Sequence, residues 1–402
     1  MKAPALVFEG RRWSVEEAQA SVISRRRELQ ASLDSSSQLL AFGADPHPDT
    51  VWSFFAAMSL DLVAMPVPSD ATSAIQVRYS EAKALSSSEG TRLRLLTSGS
   101  TGIPKIVDLT ARQLRASADA SRARLGCGAD DVWLCCMPLH HVAGLSILTR
   151  TGIVGATTIL LPGFDAELVS RAIDTQGITM ISLVPTMLGR LLDVRGTRPF
   201  PPSLRVILLG GAPAYEVLLD RCRAIEAPVA LTWGMSETAS QIATREPGDL
   251  RQAPDVGLPL PGHRVFIEDG RLGVEGPIAP DGYLVTEDRG HLDAKGRVVV
   301  DGRGDALIIS GGENVDPSRV AGVLSTHPSV SEAVVIGMPD AEWGERVCAV
   351  LTGGQDENLS SWLRTRLDAH ERPRQILWLD ALPRNAMGKI ERARLRSLLS
   401  SD

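Results

Sequence analysis

Leu95-Leu96-Thr97-Ser98-Gly99-Ser100-Thr101-Gly102-Ile103-Pro104-Lys105 is the stretch on which the reading of this chain turns. Hydroxyl side chains and two glycines, Gly99 and Gly102, stand between an apolar run (Leu93, Leu95, Leu96) and a second extended run, Ile106 to Leu109. Glycine lets the backbone turn its N–H groups towards an anion and Ser/Thr hydroxyls add donors, so such a loop can wrap a polyphosphate. Lys105 supplies a point charge beside it. A Walker loop needs Gly-Lys-Ser/Thr opening a helix; here Pro104 precedes the lysine, and the residues after it read as a strand. Gly/Ser/Thr clusters are more often plain turns than nucleotide sites, so the meaning of this one rests on what the chain carries elsewhere.

Composition sets the frame. The 402 residues are 44% hydrophobic and 22% charged, as in a globular protein with a sizeable core, and correspond to two or three domains at roughly 150 residues each. A net charge of −6 gives no reason to propose a nucleic-acid or anionic-membrane surface. Cys127, Cys135, Cys136, Cys222 and Cys348 show no Cys-x-x-Cys spacing and are odd in number; they read as buried thiols of a reducing, cytoplasmic compartment. Arg11 and Arg12 arrive before any apolar run long enough for a signal peptide, and no run of roughly 18 apolar residues is present to span a membrane. Five of the 42 basic residues are lysines (Lys2, Lys83, Lys105, Lys295, Lys389), leaving 37 arginines. Where arginine is the default, a retained lysine points to chemistry that needs a compact ammonium.

Periodicity predicts a helix from Val15 to Leu33, an extended run at Leu39 to Phe42, a helix after Asp49, and weakly patterned surface structure from Ser69 to Gly90. Thr110 is a predicted N-cap for a helix from Ala111 to Leu125. Strands and helices then alternate to Trp233, and the strands Ile178 to Val184 and Leu204 to Leu209 are wholly or mostly apolar. Such alternation argues for a mostly parallel sheet with helices on both faces and a ligand at the carboxyl ends of the strands. Short Gly-punctuated β segments fill Pro254 to Val300, and a different α+β texture succeeds them. The expected fold is α/β: a large N-terminal domain (1–304) of mostly parallel sheets flanked by helices plus a small β part, then a small mobile α+β domain (305–402).

Further motifs carry chemistry. Gly210, Gly211 and Ala212 come after a strand, where bare backbone lets a flat ring lie close. Trp233-Gly234-Met235-Ser236-Glu237 ends the next strand with an aromatic that can stack on a base and a carboxylate that can hold Mg²⁺. Thr286-Glu287-Asp288, Gly302-Arg303-Gly304-Asp305, Ser310-Gly311-Gly312 and the segment Leu382 to Ile390 with Lys389 then appear in order. Together with Thr97 to Lys105, these elements over residues 93 to 390 resemble the adenylate-forming acyl-CoA synthetase superfamily. The tyrosine and threonine of its Tyr-Gly-Met-Thr-Glu element are replaced here by Trp233 and Ser236, and a glycine by Glu287.

That resemblance implies an AMP-forming acid–thiol ligase using ATP, Mg²⁺ and coenzyme A. It assigns Thr97, Ser98, Gly99, Ser100, Thr101, Gly102 and Lys105 to the phosphates, with Thr101 counted among the catalytic residues. Gly210, Gly211, Ala212, Trp233, Gly234, Met235 and Ser236 go to the nucleotide, Glu237 to the metal, and Asp288 and Arg303 to the ribose. Lys389 becomes the adenylation lysine, Asp305 a hinge for domain alternation, and Ser310 to Gly312 a channel for coenzyme A. Pro138-Leu139-His140-His141-Val142-Ala143-Gly144 matches the family's acyl-pocket element, placing His141, Gly144 and Thr186 at the pocket wall. The pocket elements are most similar to the o-succinylbenzoate–CoA ligases of menaquinone biosynthesis, ahead of other small aryl- or acyl-acid ligases and of enzymes that load a carrier protein. Such a diacid needs a cation, for which Arg150 and Arg190 are both candidates. A non-catalytic nucleotide-binding scaffold would need none of the charged set. The expected partners are small molecules, and a homo-oligomer is compatible with the sequence.

Overall fold

The computed structural model describes residues 5–34, 37–69, 73–97, 105–214, 216–251, 255–303, 307–384 and 390–400. The predicted residues Ser98, Gly99, Ser100, Thr101, Gly102, Asp305 and Lys389 lie outside them.

A nine-stranded sheet forms the centre of the molecule. Its parallel strands Val132–Cys135, Thr157–Leu160, Met180–Leu183, Val206–Leu209 and Val229–Met235 carry the apolar runs, and Met180–Leu183 and Val206–Leu209 are buried at every position. Chain order and spatial order differ in one informative way. Val132–Cys135 connects outward to Thr157–Leu160, whereas Met180–Leu183, on its other side, connects in the opposite direction to Val206–Leu209 and Val229–Met235. Right-handed crossovers therefore put helix Val142–Val154 on one face, and helices Ala166–Thr175, Pro185–Arg195 and Glu216–Ala224 on the other. The two connections part between Val132–Cys135 and Met180–Leu183, opening a crevice at their carboxyl ends, the place where open α/β sheets bind ligands.

The first ninety residues belong to this framework. Hairpin Ala5–Phe8/Arg11–Trp13 extends the edge of the large sheet beside Thr157–Leu160. Strands Leu39–Gly43 and Val63–Val67 run parallel into a second sheet that ends in the hairpin Thr91–Thr97/Lys105–Thr110, where Thr97 and Lys105 face each other in register. The segment read as weakly patterned surface contains helix Ser73–Ala84, with Tyr79 and Ala82 buried against Met65 and Leu96. One buried edge on a mostly polar helix leaves little periodic signal.

Four antiparallel strands between Arg264 and Arg303 form a third sheet with its own core (Val265, Leu272, Val274, Val298). From Ile308 onward a five-stranded sheet with helices Pro317–Leu324 and Arg392–Ser400 buries separate clusters around Val335, Leu351 and Leu395. The α/β class and the large-plus-small arrangement of the sequence reading hold. Among the described residues no helix is long and apolar enough to cross a membrane.

Candidate active site

The carboxyl ends of the parallel strands bring together most of the predicted residues that lie among the described ones. After Val132–Cys135 the chain turns into helix Val142–Val154, whose N-cap is His141. Gly144 is required there: a Cβ would stand 2.4 Å from the Pro138 carbonyl oxygen. After Met180–Leu183 comes helix Pro185–Arg195, with partly buried Thr186 in its first turn. After Val206–Leu209, Gly210 passes so near the next strand that a Cβ would lie 2.7 Å from Thr232 Cγ2, and Gly211 and Ala212 are exposed at the strand's mouth.

Val229–Met235 delivers the rest. Its pairing shifts register between Trp233 and Gly234, and a Cβ on Gly234 would sit 1.8 Å from the Ser240 carbonyl oxygen, so only glycine fits. Ser236–Thr238 form a single 3₁₀ turn carrying half-buried Glu237, followed by two non-glycine residues at positive φ, Ala239 (54°) and Ser240 (115°). Such backbone persists only where its surroundings over-determine it. Helix Ala111–Leu125 does so with one polar edge spaced four residues apart. Gln113 Nε2 donates to the Glu237 carbonyl (3.0 Å) and to the Ile278 carbonyl (3.0 Å). Ser117 Oγ donates to the Ala239 carbonyl (2.8 Å), and Ser121 Oγ to Gln241 Oε1 (2.7 Å). The helix begins where the Lys105–Thr110 strand ends, in a capping box between Thr110 and Gln113. It thus fixes the Glu237 turn relative to the phosphate-loop hairpin. Sequence reasoning found Thr110 as the cap but missed this seam; the Thr-x-x-Gln spacing was its one legible sign.

The ribose candidates lie opposite each other: Asp288 pairs in register with Arg303 across strands Tyr283–Leu292 and Val298–Arg303. Asp288 also accepts a 2.7 Å hydrogen bond from Trp233 Nε1. Trp233 itself is 7% exposed and packs with Ile242, Val265 and Leu272, and its N–H edge meets the Asp288 carboxylate. A single carboxylate such as Glu237 fits Mg²⁺, which keeps several waters and binds through one or two carboxylates plus substrate phosphates.

Arg150 is 2% exposed on helix Val142–Val154. Its Nη2 donates to Ser240 Oγ (2.9 Å), its guanidinium lies 5.4 Å from the Trp133 ring centroid, and its Nε has no partner among the described residues. Burial pushes its pKa down to about 10. Arg190 is exposed. In the C-terminal unit Ser310 is fully buried, and its hydroxyl has no partner among the described residues. Gly311 (φ 63°) donates its N–H to the Trp343 carbonyl, and a Cβ on Gly312 would meet nothing within 4 Å.

Known proteins match the chain in family and fold. The model for AMP-binding enzymes matches residues 87–292, and that for the AMP-binding enzyme C-terminal domain matches residues 319–389. A 2-succinylbenzoate–CoA ligase of Bacillus cereus is 39% identical over 334 residues, covering 76% of this chain and 69% of the relative. The o-succinylbenzoate CoA synthetase of Bacillus subtilis, solved with the acyl-adenylate intermediate OSB-AMP, superposes with a TM-score of 0.86 at 30% identity, covering 98% of this chain and 95% of that one. The same enzyme with ATP and magnesium gives 0.86 and 30%, covering 98% and 97%. Motif order, fold and two family models agree: the chain belongs to the AMP-binding enzyme family.

Proposed function

We propose that the chain is an ATP- and Mg²⁺-dependent 2-succinylbenzoate–CoA ligase. The observation that carries the choice of acid is Arg150. A buried guanidinium without a carboxylate partner is costly; Arg150 has none among the described residues, and it stands on the helix that opens with His141 and Gly144. A diacid supplies what is missing: one carboxylate to be activated, the other to pair with Arg150. The Bacillus relatives are named for that acid.

A carboxylate resists attack and oxide is a poor leaving group. In the first step a carboxylate oxygen attacks the α-phosphorus of ATP and pyrophosphate leaves; in the second a thiolate attacks the acyl carbon and AMP leaves. Both steps bring anions together, so catalysis is mainly positioning and charge neutralisation. In this reading Thr97 to Lys105 hold the phosphates and Glu237 the magnesium, which neutralises polyphosphate charge. Asp288 and Arg303 hold the ribose, and Lys389 bridges acid and α-phosphate. Turning about Asp305 would withdraw Lys389 and present Ser310 to Gly312 to the pantetheine arm. In support, the strands ending at Arg303 and beginning at Ile308 belong to different sheets with different cores.

The test is a panel of acids with ATP, Mg²⁺ and coenzyme A, reading AMP formation. We expect 2-succinylbenzoate to be fastest. Benzoate, a coumarate or an octanoate-sized acid winning by tenfold or more in kcat/KM would refute the assignment.

A further inference from the structure

The assignment of Asp288 to the nucleotide ribose leaves open what holds that carboxylate in the attitude a vicinal diol requires. Torsion about the last bond of an aspartate is broad and roughly two-fold, so the plane of the carboxylate needs an external restraint. The described structure supplies one in Trp233. The register shift between Trp233 and Gly234 is the kind of irregularity that re-aims a side chain. Here the indole is sealed in the core of the third sheet against Ile242, Val265 and Leu272, and its single polar atom faces out of that core. Nε1 donates to Asp288 Oδ2 at 2.7 Å.

An indole N–H can only donate, so Asp288 Oδ2 is the acceptor in this bond. It is charge-assisted, within the short range of such bonds. The backbone of Asp288 is held as well: its N–H donates to Thr286 Oγ1 (3.1 Å), which in turn donates to the Leu272 carbonyl (2.7 Å). Leu272 belongs to the same core as the Trp233 ring. Side chain and main chain of Asp288 are therefore both referred to one rigid cluster.

We infer that Trp233 is a positioning residue for ribose recognition, acting through its indole N–H on Asp288 rather than solely as a stacking surface for the adenine ring. This rests on the assignment of Asp288 to the ribose hydroxyls, not on the identity of the acid.

The two roles separate in nucleotide binding. Stacking or packing by the ring serves ATP and 2′,3′-dideoxy-ATP alike, whereas an aligned carboxylate serves only the nucleotide with hydroxyls. Calorimetric Kd values for both nucleotides should show the wild-type protein preferring ATP. Trp233→Phe keeps an aromatic ring and loses the donor; it should weaken ATP binding about tenfold, as expected for one lost hydrogen bond to a charged group. Its binding of 2′,3′-dideoxy-ATP should change less than twofold. Because a smaller ring can disturb packing, a second variant places 3-benzothienylalanine at position 233 alone. That side chain has the indole's shape with sulfur in place of N–H, and the same selective loss is expected. Equal weakening of both nucleotides in either variant, or no weakening of ATP binding, would overturn the inference. A wild-type protein that binds both nucleotides equally would remove the ribose assignment and the inference with it. Failure to turn over 2-succinylbenzoate would bear on the acid alone.

Discussion

Arg94 and Arg150 are both buried cations, and the molecule treats them in opposite ways. Arg94, 2% exposed at its side chain, sits behind the phosphate-loop hairpin and spends every donor within the chain. Nε and Nη2 form a two-pronged pair with Asp108 at 2.7 Å each, and the remaining donors reach the carbonyls of Ala82, Leu85 and Ser86 and the Ser87 hydroxyl. Arg195 and Arg245, the other fully enclosed guanidinium groups among the described residues, likewise meet carboxylates, Asp174 and Asp255, although Arg195 Nε has no hydrogen-bond partner among the described residues. Among the described residues Arg150 meets one hydroxyl and leaves Nε unpartnered, and burial pushes its pKa down. A cation whose needs are met by the fold belongs to the fold. In the proposed function, the one left short is held for a ligand.

The comparison breaks most readily at Arg150 itself. Arg150→Met should cut kcat/KM for 2-succinylbenzoate by about 100-fold or more, the scale of truncating one partner of a buried charge pair. The same variant should melt higher than the parent in the absence of substrate, because an under-compensated buried charge has been removed. Arg94→Met should do the reverse. It strands Asp108, costs about 3–5 kcal/mol of stability in denaturant titrations, and lowers activity towards every acid alike.

A finer contrast lies along helix Ala111–Leu125. Gln113 and Ser121 both satisfy buried partners, but only Gln113 bonds the Glu237 carbonyl. Gln113→Met should raise the Mg²⁺ concentration needed for half-maximal ATP binding, monitored by tryptophan fluorescence, by about tenfold if roughly 1.4 kcal/mol of positioning is lost. Ser121→Ala, with a comparable loss of stability, should leave that concentration unchanged. Equal shifts would mean that the seam serves stability and not the site.

The smallest effect concerns a buried group left short without any ligand. Both ring nitrogens of His263 lack partners among the described residues, and burial pushes its pKa down to about 4 from the usual 6.5. The unfolded chain therefore binds the proton more tightly between about pH 6.5 and 4, so stability falls as pH falls through that window. His263→Phe should flatten this part of the stability–pH curve, measured by urea denaturation at several pH values.

Legibility in the sequence divides along the same line between local and long-range needs. Apolar strands and Gly-rich turns are local, so the alternating strands, the Thr110 cap and the ends of the parallel strands were legible. So was the order of the motifs, which gave the family. The placement of the first ninety residues was not, because the hairpin Ala5–Phe8/Arg11–Trp13 draws its meaning from a partner strand some 150 residues away. Nor were the polar seam of Gln113, Ser117 and Ser121 or the edge-on bond of Trp233 to Asp288, since each joins residues 55 to 165 positions apart. Arg150 and Arg190 looked equivalent in sequence; burial, which depends on packing, separates them.

The central claim is that Arg150 reads a second carboxylate, and one ratio tests it. The kcat/KM for 2-succinylbenzoate is divided by that for 3-benzoylpropanoate, which lacks the ring carboxylate, in the wild-type protein and in Arg150→Met. The account predicts a wild-type ratio of about 100 or more, the scale of a buried charge pair, collapsing towards unity in the variant because only the diacid loses its partner. A variant that keeps the wild-type ratio, or a wild-type protein that uses both acids equally well, would contradict it.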